Sequence, residues 1–144
     1  MQFLIRAGDE VPIYRQIVRQ VTDAVASGHL ALGEKLPSHR ELGERLVIAP
    51  LTVKKAYDEL ERSGVIESRR GRGTYVASER PQVDRSEVRS RLRDSARRLL
   101  AEAWVAGVSF DEMQQLLVEA QQALSADREQ GDDKKHQKDQ KDRG

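Results

Sequence analysis

Between Leu46 and Pro50 one helical pattern ends and another begins within three residues, and nothing else in the chain limits its fold as tightly. The upstream pattern starts at Ser38-His39-Arg40-Glu41, where an N-cap hydroxyl and a glutamate three residues on make a capping box. It runs to about Leu46, with Leu42 and Leu46 turned inward. Val47-Ile48-Ala49 breaks the spacing, and Pro50, suited to the first helical position, opens the next helix. That helix carries Val53, Ala56, Tyr57 and Leu60 on one face and Thr52, Lys54, Lys55, Asp58 and Glu59 on the other, until Gly64 ends it. Two helices joined by so short a turn, the second presenting Thr and Lys near its start, suit a helix-turn-helix.

The flanks extend this unit. Upstream, Pro12 to Ser27 places Ile13, Ile17, Val21 and Val25 four residues apart, an amphipathic helix closed by Gly28. Downstream, Val65 to Ser68 and Thr74 to Ala77 read as strands around Arg69-Arg70-Gly71-Arg72-Gly73. A phosphate cradle would need a third glycine and a helix after it, and here a second strand follows. A disordered Arg-Gly segment would need repetition, and there is one copy. A charged turn directly after a helix-turn-helix reads instead as a wing, whose arginines enter a groove or pair with phosphates. On the preceding helix Thr52 lets the N-terminus approach DNA closely, while Lys54 and Lys55 reach phosphates or guanine edges. Arg40, one helix earlier, lies over the backbone and fixes register.

The fold class expected is mainly α with a small β-hairpin: a winged helix-turn-helix over residues 1–78 and a C-terminal two-helix region. Residues 79–84, with Pro81, read as a linker. Arg85 to Ala106 and the helix after the capping box Ser109-Phe110-Asp111-Glu112 carry apolar stripes, with Leu92, Leu99 and Leu100 on the first and Met113, Leu116 and Leu117 on the second. Two helices cannot enclose a core alone, so the apolar faces of residues 85–126 need a partner, as a dimerisation region would supply, and the same region is open to a small effector or to none. Trp104, with Phe110 nearby, reads as a core or dimer contact. Residues 127–144 have no apolar side chain and alternate in charge, and are expected to be disordered.

Composition supplies exclusions. The net charge is +1 over 144 residues, so any basic surface is local. With no cysteine and three scattered histidines there is no thiolate metal site, and no catalytic constellation stands out; neither enzyme activity nor a metal or cofactor is expected. The start lacks a signal-peptide pattern and no apolar run reaches membrane length, which suits a cytoplasmic protein.

From Pro12 to Ala77 the chain resembles the winged helix-turn-helix domain of the GntR family of bacterial transcription regulators. The landmarks are PIYRQI, the Gly33 to Gly43 segment with LPSHRELG, TVKKAYDELERSGVIE, and the wing RRGRGTYV. The short C-terminal part is similar to the YtrA-like branch, which carries a dimerising helix pair in place of a large sensor domain. The resemblance implies a homodimer on a two-fold symmetric operator in double-stranded DNA, often as a repressor. It also implies DNA contacts at Arg40, Thr52, Lys54, Arg70, Gly71 and Arg72. Where many members have Ser-Arg-Thr-Thr at the start of the recognition helix, this chain has Ala49-Pro50-Leu51-Thr52. The rival expectation is a winged-helix protein-interaction module that does not bind DNA.

Overall fold

The computed structural model describes residues 1–80 and 84–141, with 127–141 described as backbone alone. The chain divides into two compact units, residues 82–126 forming the second. The first contains α1 (Ile13–Ala26), β1 (Lys35–Leu36), α2 (His39–Leu46), α3 (Pro50–Arg62), β2 (Ile66–Arg69) and β3 (Gly73–Val76). The second is built on α4 (Arg85–Val105) and the start of α5 (Phe110–Lys141).

The core of the first unit forms where the apolar stripes meet. Ile17 and Val21 of α1 and Val53, Ala56 and Leu60 of α3 are almost wholly buried, with Leu42 of α2 and Val76 of β3 closing the cluster. The sheet caps one side of this core. It has three antiparallel strands in the order β1-β3-β2, with Glu67 opposite Tyr75 and Arg69 opposite Gly73. In sequence, Gly33 to Pro37 reads as a turn and only the hairpin is expected. Lys35 and Leu36 instead pair with Tyr75 and Thr74, because β3 would otherwise be an unpaired edge against the core. Two residues of strand leave too short a run for alternation to register in the sequence.

Residues 3–6 lie along α1 by an unusual device. Gln20 accepts from the Leu4 N–H and donates to the Leu4 carbonyl, at 2.8 and 2.7 Å. One turn back, Gln16 does the same for Arg6 at 2.9 and 3.0 Å and also donates to the Val11 carbonyl. The two side-chain amides thus satisfy backbone groups as a neighbouring strand would, and Phe3 and Ile5 pack on the core.

Helix ends decide the turn geometry. At the end of α3 the Val65 N–H bonds to the Leu60 carbonyl and the Gly64 N–H to that of Glu61, with Gly64 at φ 76. Gly107 and Val108 repeat the arrangement on α4, and both are glycine-bearing Schellman caps. At the end of α2 the same bonds run from Val47 and Ile48 to Glu44 and Gly43, but the left-handed residue is Val47, at φ 55. A left-handed β-branched residue costs about 1–2 kcal/mol. Val47 is 92% exposed, so no packing compensates for that conformation. Val47→Gly is therefore expected to raise the midpoint of thermal unfolding by several degrees, as followed by circular dichroism. A lower midpoint would show that the strain is absent.

α5 continues to Lys141, past Leu124 where the apolar stripe stops, and so runs into the segment read as a disordered tail. The residues there are largely Gln, Lys, Arg and Asp, several of them good helix formers that need no apolar face to continue an established helix. Residues 142–144 and part of the segment read as the linker, 81–83, lie outside the described residues.

Candidate nucleic-acid interface

The helix-turn-helix is fixed by three local contacts. Ser38 and Glu41 form the expected capping box: the Glu41 N–H donates to Ser38 Oγ at 3.1 Å and the Ser38 N–H to Glu41 Oε2 at 2.7 Å. Those hydrogen bonds hold the Glu41 carboxyl below its ordinary pKa. Tyr57 on α3 donates its hydroxyl to the Pro37 carbonyl at 2.8 Å, tying α3 to the start of α2, and burial pushes this phenol up to about 12. Gly43 is the third: a Cβ there would lie 2.8 Å from the Ile48 carbonyl oxygen and 3.4 Å from Pro50 Cα. The two helices come this close only because residue 43 has no side chain.

The expected contact residues are exposed or partly so. Thr52 is partly buried in the first turn of α3, and Leu51 beside it is 77% exposed. Lys54 bridges Asp58 at 2.7 Å one turn on, with both side chains half exposed. Such a pair is worth about 0.3–0.5 kcal/mol, so Lys54 can exchange it for a phosphate at little cost. Lys55 points elsewhere: its ammonium sits 4.0 Å from the centre of the Tyr14 ring on α1. Arg40 is exposed on α2.

The wing separates its three arginines. The Arg72 N–H bonds back to the Arg69 carbonyl at 2.9 Å, and Gly71 holds φ 72 at the position where a type II turn needs it positive. Arg69 is committed to the fold. It donates to Glu67 at 2.6 and 2.8 Å and to Ser78 at 2.9 Å, and its guanidinium stacks 4.3 Å from the Tyr75 ring centre. The Tyr75 hydroxyl donates to the Arg72 carbonyl at 3.2 Å, clamping the turn from the other strand. Arg70 and Arg72 are exposed, and among the described residues neither side chain has a partner.

One basic residue is not marked by its sequence context. Lys35 on β1 is exposed, and its Cε lies 3.3 Å from where a Gly73 Cβ would be, so its side chain runs along the wing strand. Its sequence neighbourhood looks like a turn, and only the pairing of β1 with β3 brings it to the wing. Among the described residues no group of His, Cys, Asp and Glu is placed to hold a metal ion.

A helix-turn-helix followed by a hairpin with two exposed arginines at its tip defines a winged helix-turn-helix protein. The sequence profile described as "Bacterial regulatory proteins, gntR family" matches residues 13–76. The chain is 37% identical to the HTH-type transcriptional repressor YtrA of Bacillus subtilis (strain 168), over 81% of this chain and 86% of that protein. Among solved structures it is similar to a transcriptional antiterminator from Listeria monocytogenes EGD-e, with 33% identity, TM-score 0.78, and coverage of 86% and 92% of the two chains. It is also similar to YtrA from Sulfolobus acidocaldarius, with 32% identity, TM-score 0.51, and coverage of 82% and 95%. The chain belongs to the GntR family, in its YtrA-type group, and is a DNA-binding transcriptional regulator. An interaction module that does not bind DNA is not favoured.

Proposed function

We propose that the protein is a homodimeric repressor that occupies a two-fold symmetric operator in the cytoplasm and blocks transcription sterically, without enzymatic activity. Arg70 and Arg72, with Gly71 between them, contact the DNA from the wing, and Thr52, Lys54 and Arg40 contact it from the helix-turn-helix. Lys35 adds to the wing's charge. Lys55 is a weaker candidate while it stacks on Tyr14. The observation that carries the reading is the division of labour in the wing: Arg69 holds the hairpin together, and Arg70 and Arg72 are exposed on a clamped turn, without a side-chain partner among the described residues.

The second unit supports dimerisation. Leu99 and Leu100 of α4 and Phe110, Met113 and Leu117 of α5 line an apolar cleft of about 570 Å³. Trp104, one of the residues read as core or dimer contact, is 82% exposed, so it is no part of a core within one chain. A second copy of the helix pair would cover these side chains, and a small effector would find its place in the same cleft. Dimerisation joins two half-site affinities through effective concentration, a gain of about 10²–10⁴. The purified protein is expected to sediment as a dimer, and Leu99→Glu with Leu117→Glu as a monomer with operator affinity lower by about that factor. A wild-type protein that sediments as a monomer while bound to DNA would contradict the proposal.

A further inference from the structure

We infer that an arginine ridge on α4 is a second contact for the phosphate backbone of duplex DNA, outside the helix-turn-helix and the wing. The inference rests on the DNA-binding reading and extends its footprint. Residues 79–126 are close to neutral in total, but the charge is unevenly placed: residues 85–98 hold six arginines and two acids. Arg85, Arg89, Arg93 and Arg97 are spaced four apart on a continuous helix, which stacks them on one side. At 1.5 Å per residue the ridge is about 18 Å long with about 6 Å between neighbours. One strand of duplex DNA presents about five phosphates over that length.

All four arginines are exposed, and among the described residues none makes a hydrogen bond or ion pair. The helix does not arrange its own acids to compensate them. Glu87 stands four residues before Arg91, and Asp94 four before Arg98, on the other flank; at the three- and four-residue spacings that face one another, the one acid beside any of the four is Asp94, three before Arg97. The Asp84 carboxylate is occupied at the N-cap, where the Ser86 N–H and hydroxyl donate to it at 2.8 and 2.7 Å. The ridge therefore contains three like-charge pairs at i,i+4, each unfavourable by about 0.2–0.5 kcal/mol. Arg85 also opens the helix, where the macrodipole disfavours a cation. A sequence selected only for a solvated surface relieves such repulsion with alternating signs; a polyanion relieves it on binding. Residues 77–84 join β3 to α4, a tether of at most about 30 Å, so duplex gripped by the wing has its flanks within the ridge's reach.

The test compares two duplexes: a short one selected by the protein from a random pool, and the same one lengthened by about fifteen base pairs on each side. Affinities are measured by fluorescence anisotropy from about 50 to 200 mM salt, for the wild type and for R85Q/R89Q/R93Q/R97Q, since glutamine keeps helix propensity. For the wild type, the slope of log affinity against log salt is expected to be steeper on the long duplex by about 3–4 units per engaged ridge, roughly a hundredfold across that range. The variant is expected to show one slope for both duplexes, wild-type affinity for the short one, and an unchanged sedimentation coefficient. Equal wild-type slopes on the two duplexes, or a variant that keeps the difference, would overturn the inference and leave the DNA-binding reading standing. A variant that changes oligomeric state would assign the ridge to a contact between copies and overturn it too. A wild-type protein that selects no duplex would overturn the DNA-binding reading and this inference with it.

Discussion

Replacing Arg70 and Arg72 together with glutamine is expected to weaken operator binding and to flatten its salt dependence by close to 2 units per wing, about 0.9 for each phosphate that is no longer neutralised. Thermal stability should hardly change, because both side chains are exposed and neither has a hydrogen-bond or ion-pair partner among the described residues. Arg69→Gln is the informative contrast. It removes the hydrogen bonds to Glu67 and Ser78 and the stack on Tyr75, so the hairpin itself loosens and stability falls with affinity. Operator affinity and salt slope measured by anisotropy, with melting followed in parallel, separate the two effects. An unchanged slope in the Arg70/Arg72 variant would remove the wing from the interface.

Gly43→Ala is the second large effect, and two terms compete in it. Alanine is favoured over glycine inside a helix by about 1 kcal/mol, which alone would stabilise α2. Against this, the new Cβ would stand 2.8 Å from a backbone carbonyl oxygen that belongs to the turn and cannot swing aside. Overpacking of this kind costs about 1–3 kcal/mol, and more when backbone must move, so destabilisation is expected to win. The expected drop in melting temperature is on the order of 10 °C, with weakened DNA binding as the angle between α2 and α3 opens. Gly33→Ala serves as control, since φ 78 strains the new residue while its Cβ meets open space. A Gly43→Ala protein as stable as the wild type would show that the close approach is not needed.

Much of this architecture is legible in residue spacing because each signal has a single physical source. The capping box at Ser38 and Glu41, the four-residue stripe of α1 and the buried face of α3 all appear where the pattern puts them. The strands of the wing are shifted by one residue, since Arg69 and Gly73 pair where spacing suggests a looser turn. What spacing does not carry is partnership between distant segments. β1 is too short to show alternation, and Lys35 reaches the wing only through its pairing with Tyr75. The glutamine ladder that holds residues 3–6 looks in sequence like two polar positions on a helix. Lys54 and Lys55 read as an equivalent pair, yet one bridges Asp58 on its own helix and the other stacks on Tyr14 of α1. The reason Val47 and Gly43 matter is also three-dimensional: they share one turn, and only its backbone shows that the first is strained and the second indispensable to the close approach.

Two copies of this winged domain are expected to read DNA together, and selection of bound duplexes from a random pool by the 144-residue chain checks this. The expected result is enrichment of an inverted repeat whose half-site centres lie about 10 base pairs, or a multiple of a helical turn, apart. Enrichment of single half-sites without symmetry, or no enrichment over the starting pool, would contradict it.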